Sequence, residues 1–315
     1  MITVSVPGKI RLMGEHSVVY GYPALLSAIN LRMRVSIGES PKGSSGIRVV
    51  STESTRYADH AVHVLLEKLH IEDPLPSTIT IDSDIPSGFH LGSSAAVAVG
   101  ITGAMMFVYK KIWNPIRINE LAYEIEKKQH GSPSGGDNTV VTMGGFIWFR
   151  KELEFLKSIW QLPFKPHESL NHFMLIDTGK PQESTGDMIK IVKEKIAQDP
   201  ELMHRLFFDN EQQVKRITTA LKEGNEQELC SAIQTGEHTL ERMGVVSDQV
   251  ISCIRAVEKE GGVVKILGGG GKTHGVGYML CYQHDASRIA SIVSPFHFSV
   301  QPITLGEEGI RLDEK

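Results

Sequence analysis

The stretch IPSGFHLGSSAAVAVGITGAMM, residues 85 to 106, constrains the fold more than any other part of the chain. Pro86, Gly88, Gly92, Ser93 and Ser94 run straight into Ala95, Ala96, Val97, Ala98 and Val99, an apolar stretch at helical spacing. Small residues let a backbone come close to a ligand, and the first amides of the following helix have no partners inside it. Together with the positive end of the helix dipole, those amides suit an anion such as phosphate. No lysine follows the glycines, so this is not the GxxxxGK[ST] loop. A phosphate held here needs a metal or a cation from a distant part of the chain. The plainer reading is a tight turn before a core helix.

At 315 residues the chain has room for two domains with cores of their own. A net charge of -4 argues against nucleic-acid binding, for which a basic domain is expected. No apolar run approaches the roughly 20 residues a membrane span needs. The start, MITVSVPGKIRLMG, lacks the apolar core of a signal peptide. Cys230, Cys253 and Cys281 are odd in number and lack CxxC spacing, which fits buried thiols in a reducing cytosol.

Alternation predicts strands at 2–6, 30–37, 46–50 and 77–82, and helical spacing predicts helices at 57–70, 93–110 and 117–129. GGFIWFR, 144–150, follows as a strand, and the aperiodic 151–169 stretch marks a domain boundary. We divide the chain into domains at 1–160 and 161–315. Beyond it come a strand at 172–177, helices to about residue 260, strands around VVKIL and HGVGYMLCY, a helix at 285–292 and a last strand, FSVQPI. Strands and helices mix without regular βαβ alternation, which predicts an α+β fold. The charged 199–242 stretch is expected to form solvated faces of packed helices.

Three further segments carry chemistry. PGKIRLMGEHSVVYGYPAL, 7–25, sets Lys9, Glu15 and His16 among glycines and apolar residues; a strand, a turn and a surface ion pair would also account for it. In EIEKKQHGSPSGGDNTV, 124–140, Glu126 ends an amphipathic helix, and a run of turn formers precedes Asp137, holding its carboxylate on a closely defined backbone. KILGGGGKTHGVGYML, 265–280, puts four glycines between apolar strands, costly in folding entropy unless something must come close. A flexible hairpin is the alternative there.

Together and in this order, the segments closely resemble the GHMP kinase superfamily over residues 2 to about 280. The PGK segment, the PxxxxLGSSAA loop and the C-terminal glycine-rich loop match its three motifs. Within the superfamily, PGKIRLMGEHSVVYGYPAL and HGSPSGGDN (130–138) are most similar to the mevalonate kinases. The resemblance implies a two-domain α+β fold, its N-terminal domain like domain 2 of ribosomal protein S5, its C-terminal domain ferredoxin-like, with the active site between them. It implies a cytoplasmic enzyme that moves the γ-phosphate of ATP to the 5-hydroxyl of (R)-mevalonate in isoprenoid-precursor synthesis, using magnesium. It suggests a homodimer, with no nucleic-acid or membrane partner.

The resemblance also assigns residues. Pro86, Gly88, Leu91, Gly92, Ser93, Ser94 and Ala95, with Gly269, Gly270 and Gly271, would hold the nucleotide. Ser94 and Glu126 would bind magnesium, oxygen ligands suited to a hard cation. Asp137 would be catalytic, as base or as the carboxylate that orients the acceptor, and Lys9 would keep it ionised and stabilise the moving charge. Lys9, Glu15, His16, Asp137 and Thr185 would meet the acceptor, with Lys9, His16 and Thr185 supplying a cation and hydrogen-bond donors.

The chain departs from the family at several positions. Phe89 and His90 stand where GAGLGSS is usual, and His tolerates the left-handed region better than most residues. Leu267, Lys272, Thr273 and His274 alter the third motif, and Glu183 stands where eukaryotic members have arginine. Cations at His90, Lys272 and His274 would suit an acceptor that already carries a phosphate, as in phosphomevalonate kinase. A non-catalytic sensor of ATP and a metabolite is the alternative from another class. The intact set of Lys9, Ser94, Glu126 and Asp137 argues against it.

Overall fold

The computed structural model describes residues 1–130 and 133–313. Gly131 and Ser132 of the 130–138 motif lie outside the described residues. In chain order, the first half holds β1 (Ile2–Met13), β2 (Ala24–Glu39), β3 (Ile47–Ser51), α1 (Arg56–Lys68), β4 (Ser77–Ser83) and α2 (Ser93–Met105). A single π turn, Met106–Lys110, extends α2, and α3 (Pro115–His130), α4 (Gly136–Met143), β5 (Phe146–Lys151) and β6 (Lys157–Gln161) follow. Next come β7 (Phe173–Asp177), α5 (Thr185–Gln198), α6 (Pro200–Glu223), α7 (Glu226–Met243) and α8 (Asp248–Lys259). The chain closes with β8 (Val263–Ile266), β9 (Tyr278–Tyr282), α9 (Ala286–Val293), β10 (Ser299–Ile303) and β11 (Arg311–Asp313).

These elements form two compact units: Met1–Lys9, Ala28–Gly145 and Glu307–Lys315 in one, Ile10–Ser27 and Phe146–Gly306 in the other. Each unit draws on segments far apart in sequence, whereas the sequence suggested a single cut near residue 160. In the first unit the strand order is β11-β1-β2-β4-β3, with β2 antiparallel to β4 and β3 parallel to it. β1 does not stop at Pro7, as its alternation suggested, but runs on through the PGK residues. Its residues Val4 to Ile10 are buried without a break, the polar Ser5 and Lys9 included.

α2 is the core helix of this unit, buried from Ala95 through Met105 apart from Val97. Gly100 lets it settle on the sheet, since a Cβ there would lie 2.6 Å from a Val35 methyl. The 18 residues Ser93–Lys110 are long and apolar enough to cross a membrane, although no such run stood out in the sequence. The window is 61% buried inside the protein, as a core helix is. Residues 307–313 complete the unit. Arg32 is buried there, its guanidinium donating to Ser5 and to the carbonyls of Glu308 and Gly309.

The second unit has an antiparallel sheet ordered β10-β7-β9-β8 and the helices α5 to α9. Its core gathers Ile176 of β7, Val192 of α5, Leu206 of α6, Leu240 of α7, Ile254 of α8 and Met279 of β9. The charged 199–242 stretch forms α6 and α7, started by the Asp199 and Asn225 side chains, which accept from the backbone N–H of Leu202 and Glu228. Two polar residues leave the solvated pattern, because Asn210 and Glu237 have no exposed surface. In the 151–169 stretch the structure has β6, paired with β5 in a hairpin. All three cysteines are free thiols, Cys253 and Cys281 buried and Cys230 half-buried.

Candidate active site

The sequence-selected residues fall into two groups, one in each unit. In the first unit, a cavity of about 470 Å³ is lined by Lys9, Pro86, Gly88, His90, Leu91, Gly92, Ser93, Ser94 and Asp137. Its far wall is Ser51 to Ser54, Tyr57 and Ala58, which the sequence reading did not single out. Nothing in the spacing of STES marks it; only the parallel pairing of β3 with β4 brings it beside the 86–94 loop. The cavity opens at the amino end of α2. Ser94 is exposed there, while Ala95 is buried and does not line the cavity.

Gly92 precedes α2 with φ of 86°, and a Cβ on it would lie 2.7 Å from Lys9 Cγ. The loop therefore needs glycine both for its conformation and to seat the lysine stem. Backbone N–H of Lys9 donates to the Leu91 carbonyl at 2.9 Å, which ties β1 to the loop. His90 adopts φ of 61°, so the imidazole does stand in a left-handed position. Lys9, carried by β1, brings a cation to the cavity beside this loop. It is buried, and its Nζ lies 3.1 Å from Asp137 Oδ2.

Asp137 sits in the first turn of α4, where a carboxylate is favoured by the helix dipole. Glu126, on α3, is buried nearby. Burial and the Asp137 charge push its pKa up to about 7, with Lys9 acting in the opposite direction. Two carboxylates thus face one lysine, and the more deeply buried of them resists ionisation.

The second unit holds Glu15, His16, Thr185 and Gly269 to Gly271. His16 has φ of 58° and is buried; its Nε2 donates to the Gly269 carbonyl at 2.9 Å. Burial lowers its pKa, so the ring is neutral at pH 7. The expectation that His16 supplies a donor is therefore revised. Its N–H is already engaged, which leaves Nδ1 as an acceptor. Glu15 is no surface ion pair either. Its side chain has no exposed surface and binds Lys265 Nζ at 2.7 Å. Lys265 escaped the sequence reading because VVKIL reads as an ordinary strand.

Thr185 opens α5, exposed, behind a capping box made by Ser184 and Asp187. Its Cα would stand 3.8 Å from a Cβ on Gly269. Gly270 has φ of 77°, and a Cβ on it would lie 2.0 Å from the Val245 carbonyl oxygen. A Cβ on Gly271 would likewise lie 2.6 Å from the Gly275 carbonyl oxygen, so Gly270 and Gly271 are tightly seated rather than part of a flexible hairpin. Among the altered positions, Lys272 and His274 are exposed, Leu267 is buried, and Thr273 donates to the Glu183 carboxylate.

A cavity of about 470 Å³ at a helix amino end, with a buried lysine paired to a half-buried aspartate on its wall, has the parts a small-molecule kinase requires. The GHMP kinases N terminal domain family matches residues 56–145, which include the 86–94 loop and Asp137 but not Lys9 or the Ser51–Ser54 wall. The mevalonate kinase of Archaeoglobus fulgidus is 32% identical over 274 residues, covering 85% of this chain and 88% of its own. That of Pyrococcus abyssi is 26% identical and covers 100% of this chain and 98% of its own. The L. major mevalonate kinase solved with R-mevalonate shares the fold, with a TM-score of 0.81 at 21% identity over 97% of this chain and 96% of its own. The chain belongs to the mevalonate kinase family of the GHMP kinases.

Proposed function

We propose that this chain phosphorylates (R)-mevalonate at its 5-hydroxyl with ATP, giving 5-phosphomevalonate and ADP. The observation that carries the reading is the Lys9–Asp137 pair on the wall of a cavity closed by the 86–94 loop. The α2 amides would cradle the nucleotide phosphates, and the Ser51–Ser54 wall would take the rest of the nucleotide. Asp137 would orient the acceptor hydroxyl and take its proton as the oxygen–phosphorus bond forms and the bond to ADP breaks. Lys9 would neutralise the charge developing on the moving phosphoryl group. Phosphoryl transfer rests mainly on positioning and electrostatics, which such a set supplies.

The donors suit magnesium. Glu126 is a buried carboxylate whose ionisation is opposed by Asp137, so a divalent cation would offset the excess negative charge. Glu126 and Ser94 would hold it, and when bound it would neutralise the nucleotide phosphates. In the second unit, His16, Thr185 and the Gly269–Gly271 backbone would serve the acceptor and nucleotide. The resemblance to the family also supports a cytoplasmic location and a homodimer. The decisive experiment is ADP release from Mg-ATP with mevalonate, 5-phosphomevalonate, galactose and homoserine in parallel. Turnover with mevalonate is expected. Turnover with 5-phosphomevalonate alone would overturn the assignment and make His90 and Lys272 specificity determinants.

A further inference from the structure

Lys265 is the third residue of a four-residue strand with every residue buried, and its own side chain has no exposed surface. An apolar residue of similar volume is often as stable at such a place or more so, because two charges must be taken out of water. What the lysine holds is specific. Its Nζ binds Glu15 Oε1 at 2.7 Å and the Arg11 carbonyl at 3.2 Å, and also donates to the Ile266 carbonyl. Across the same residue, the backbone N–H of Ile266 donates to Glu237 Oε2 at 2.9 Å. Both backbone groups of Ile266, two residues before the glycine loop, are thus held by buried side chains. On the other side, the clamped segment ends at His16, whose ring reaches that loop at the Gly269 carbonyl.

We propose that Lys265 is a positioning residue for the acceptor site: its clamp on Glu15, Arg11 and Ile266 fixes the His16 ring against the glycine loop in one geometry. The inference rests on the reading of His16 as an acceptor contact. Glu237 completes the clamp through its bond to the Ile266 N–H, and burial raises its pKa well above the usual carboxylate range. Asn210 braces the same segment, accepting from the Ser17 hydroxyl and donating to Thr239. A displacement of a positioned group of about 1 Å can cost on the order of a hundredfold in rate. Holding His16 is therefore a sufficient reason for a lysine here.

The test compares the wild type, H16A, E15Q/K265M and the triple variant. The paired change removes both charges, so no unpaired ion is left buried. For E15Q/K265M we expect a melting temperature near that of the wild type and unchanged affinity for a non-hydrolysable ATP analogue. The mevalonate KM should rise by about tenfold or more. Adding H16A should bring little further loss, since residues acting through one another are not additive. In ¹⁵N-histidine-labelled protein without substrate, the His16 Nε2–H signal should shift and exchange faster with solvent. An unchanged His16 signal, or losses that multiply with those of H16A, would overturn the proposal. If the paired variant does not fold, E15D, which keeps both charges and draws the carboxylate back from Lys265, gives the same NMR readout with the same two meanings. Failure of the wild type to phosphorylate mevalonate would fall on the functional reading only, because the ring signal is read without acceptor.

Discussion

Lys9, Asp137 and Glu126 show how little of a residue's chemistry is settled by its own identity. With Lys9 paired to Asp137, Glu126 is left buried with more negative than positive charge around it. Its folded pKa, raised to about 7, means that ionisation costs stability, so this contribution is present at acid pH and lost as pH rises through 7. Without metal, E126Q should therefore melt higher than the wild type at pH 8, by a margin on the order of 3 kcal/mol, and near it at pH 4. Thermal melts in chelator at both pH values check this; equal margins at the two would refute it. Adding magnesium should raise the melting temperature of the wild type and not of E126Q. D137N is expected to lower turnover by a factor on the order of 10²–10⁴ while binding of an ATP analogue persists. Near-normal turnover would remove Asp137 from the chemistry.

At the scale of the element, α2 depends on two demands met at once. Its start must leave amides open toward the cavity, and its body must lie close on the sheet. Gly92 serves the first and Gly100 the second. G100A puts a methyl against Val35 in a packed core, and should destabilise the protein by about 1–3 kcal/mol. Denaturant unfolding measures this, and a neutral result would mean the helix can slide outward. The elements differ in how far the sequence betrayed them. α1, α3, α6 and α7 were legible because each keeps a solvated face. The second half of β1 was not, because Pro7 and Gly8 read as a strand end, although Lys9 to Leu12 alternate polar and apolar. α4 was hidden by the glycines and the proline before it, although Asp137 in its first turn is a fair helix-start signal.

For the whole molecule, the interleaving of the two units carries the main consequence. Residues 307–313 belong to the unit that bears the nucleotide cavity, secured by Arg32 and by the pairing of β11 with β1. Deleting residues 307–315 should abolish binding of an ATP analogue, although none of the described residues removed lines the cavity. Wild-type affinity in the deletion would show that β11 is dispensable. R32M should act in the same direction more mildly, by about 1–3 kcal/mol of stability, because the carbonyls of Ser5, Glu308 and Gly309 lose their partner.

By itself, the sequence determined the class of chemistry. A glycine–serine turn entering an apolar helix, a distant lysine, and a carboxylate after a run of turn formers are local requirements, and local requirements leave local marks. The family likeness rests on the same marks. The tertiary structure alone decided which cation faces which carboxylate, that Glu15 is consumed by Lys265, and that His16 has already spent its proton on Gly269. Those outcomes depend on burial and on partners 250 or more residues away, as with Glu15 and Lys265 or His16 and Gly269. Desolvation turns an ordinary glutamate, lysine or histidine into something its place in the chain does not disclose.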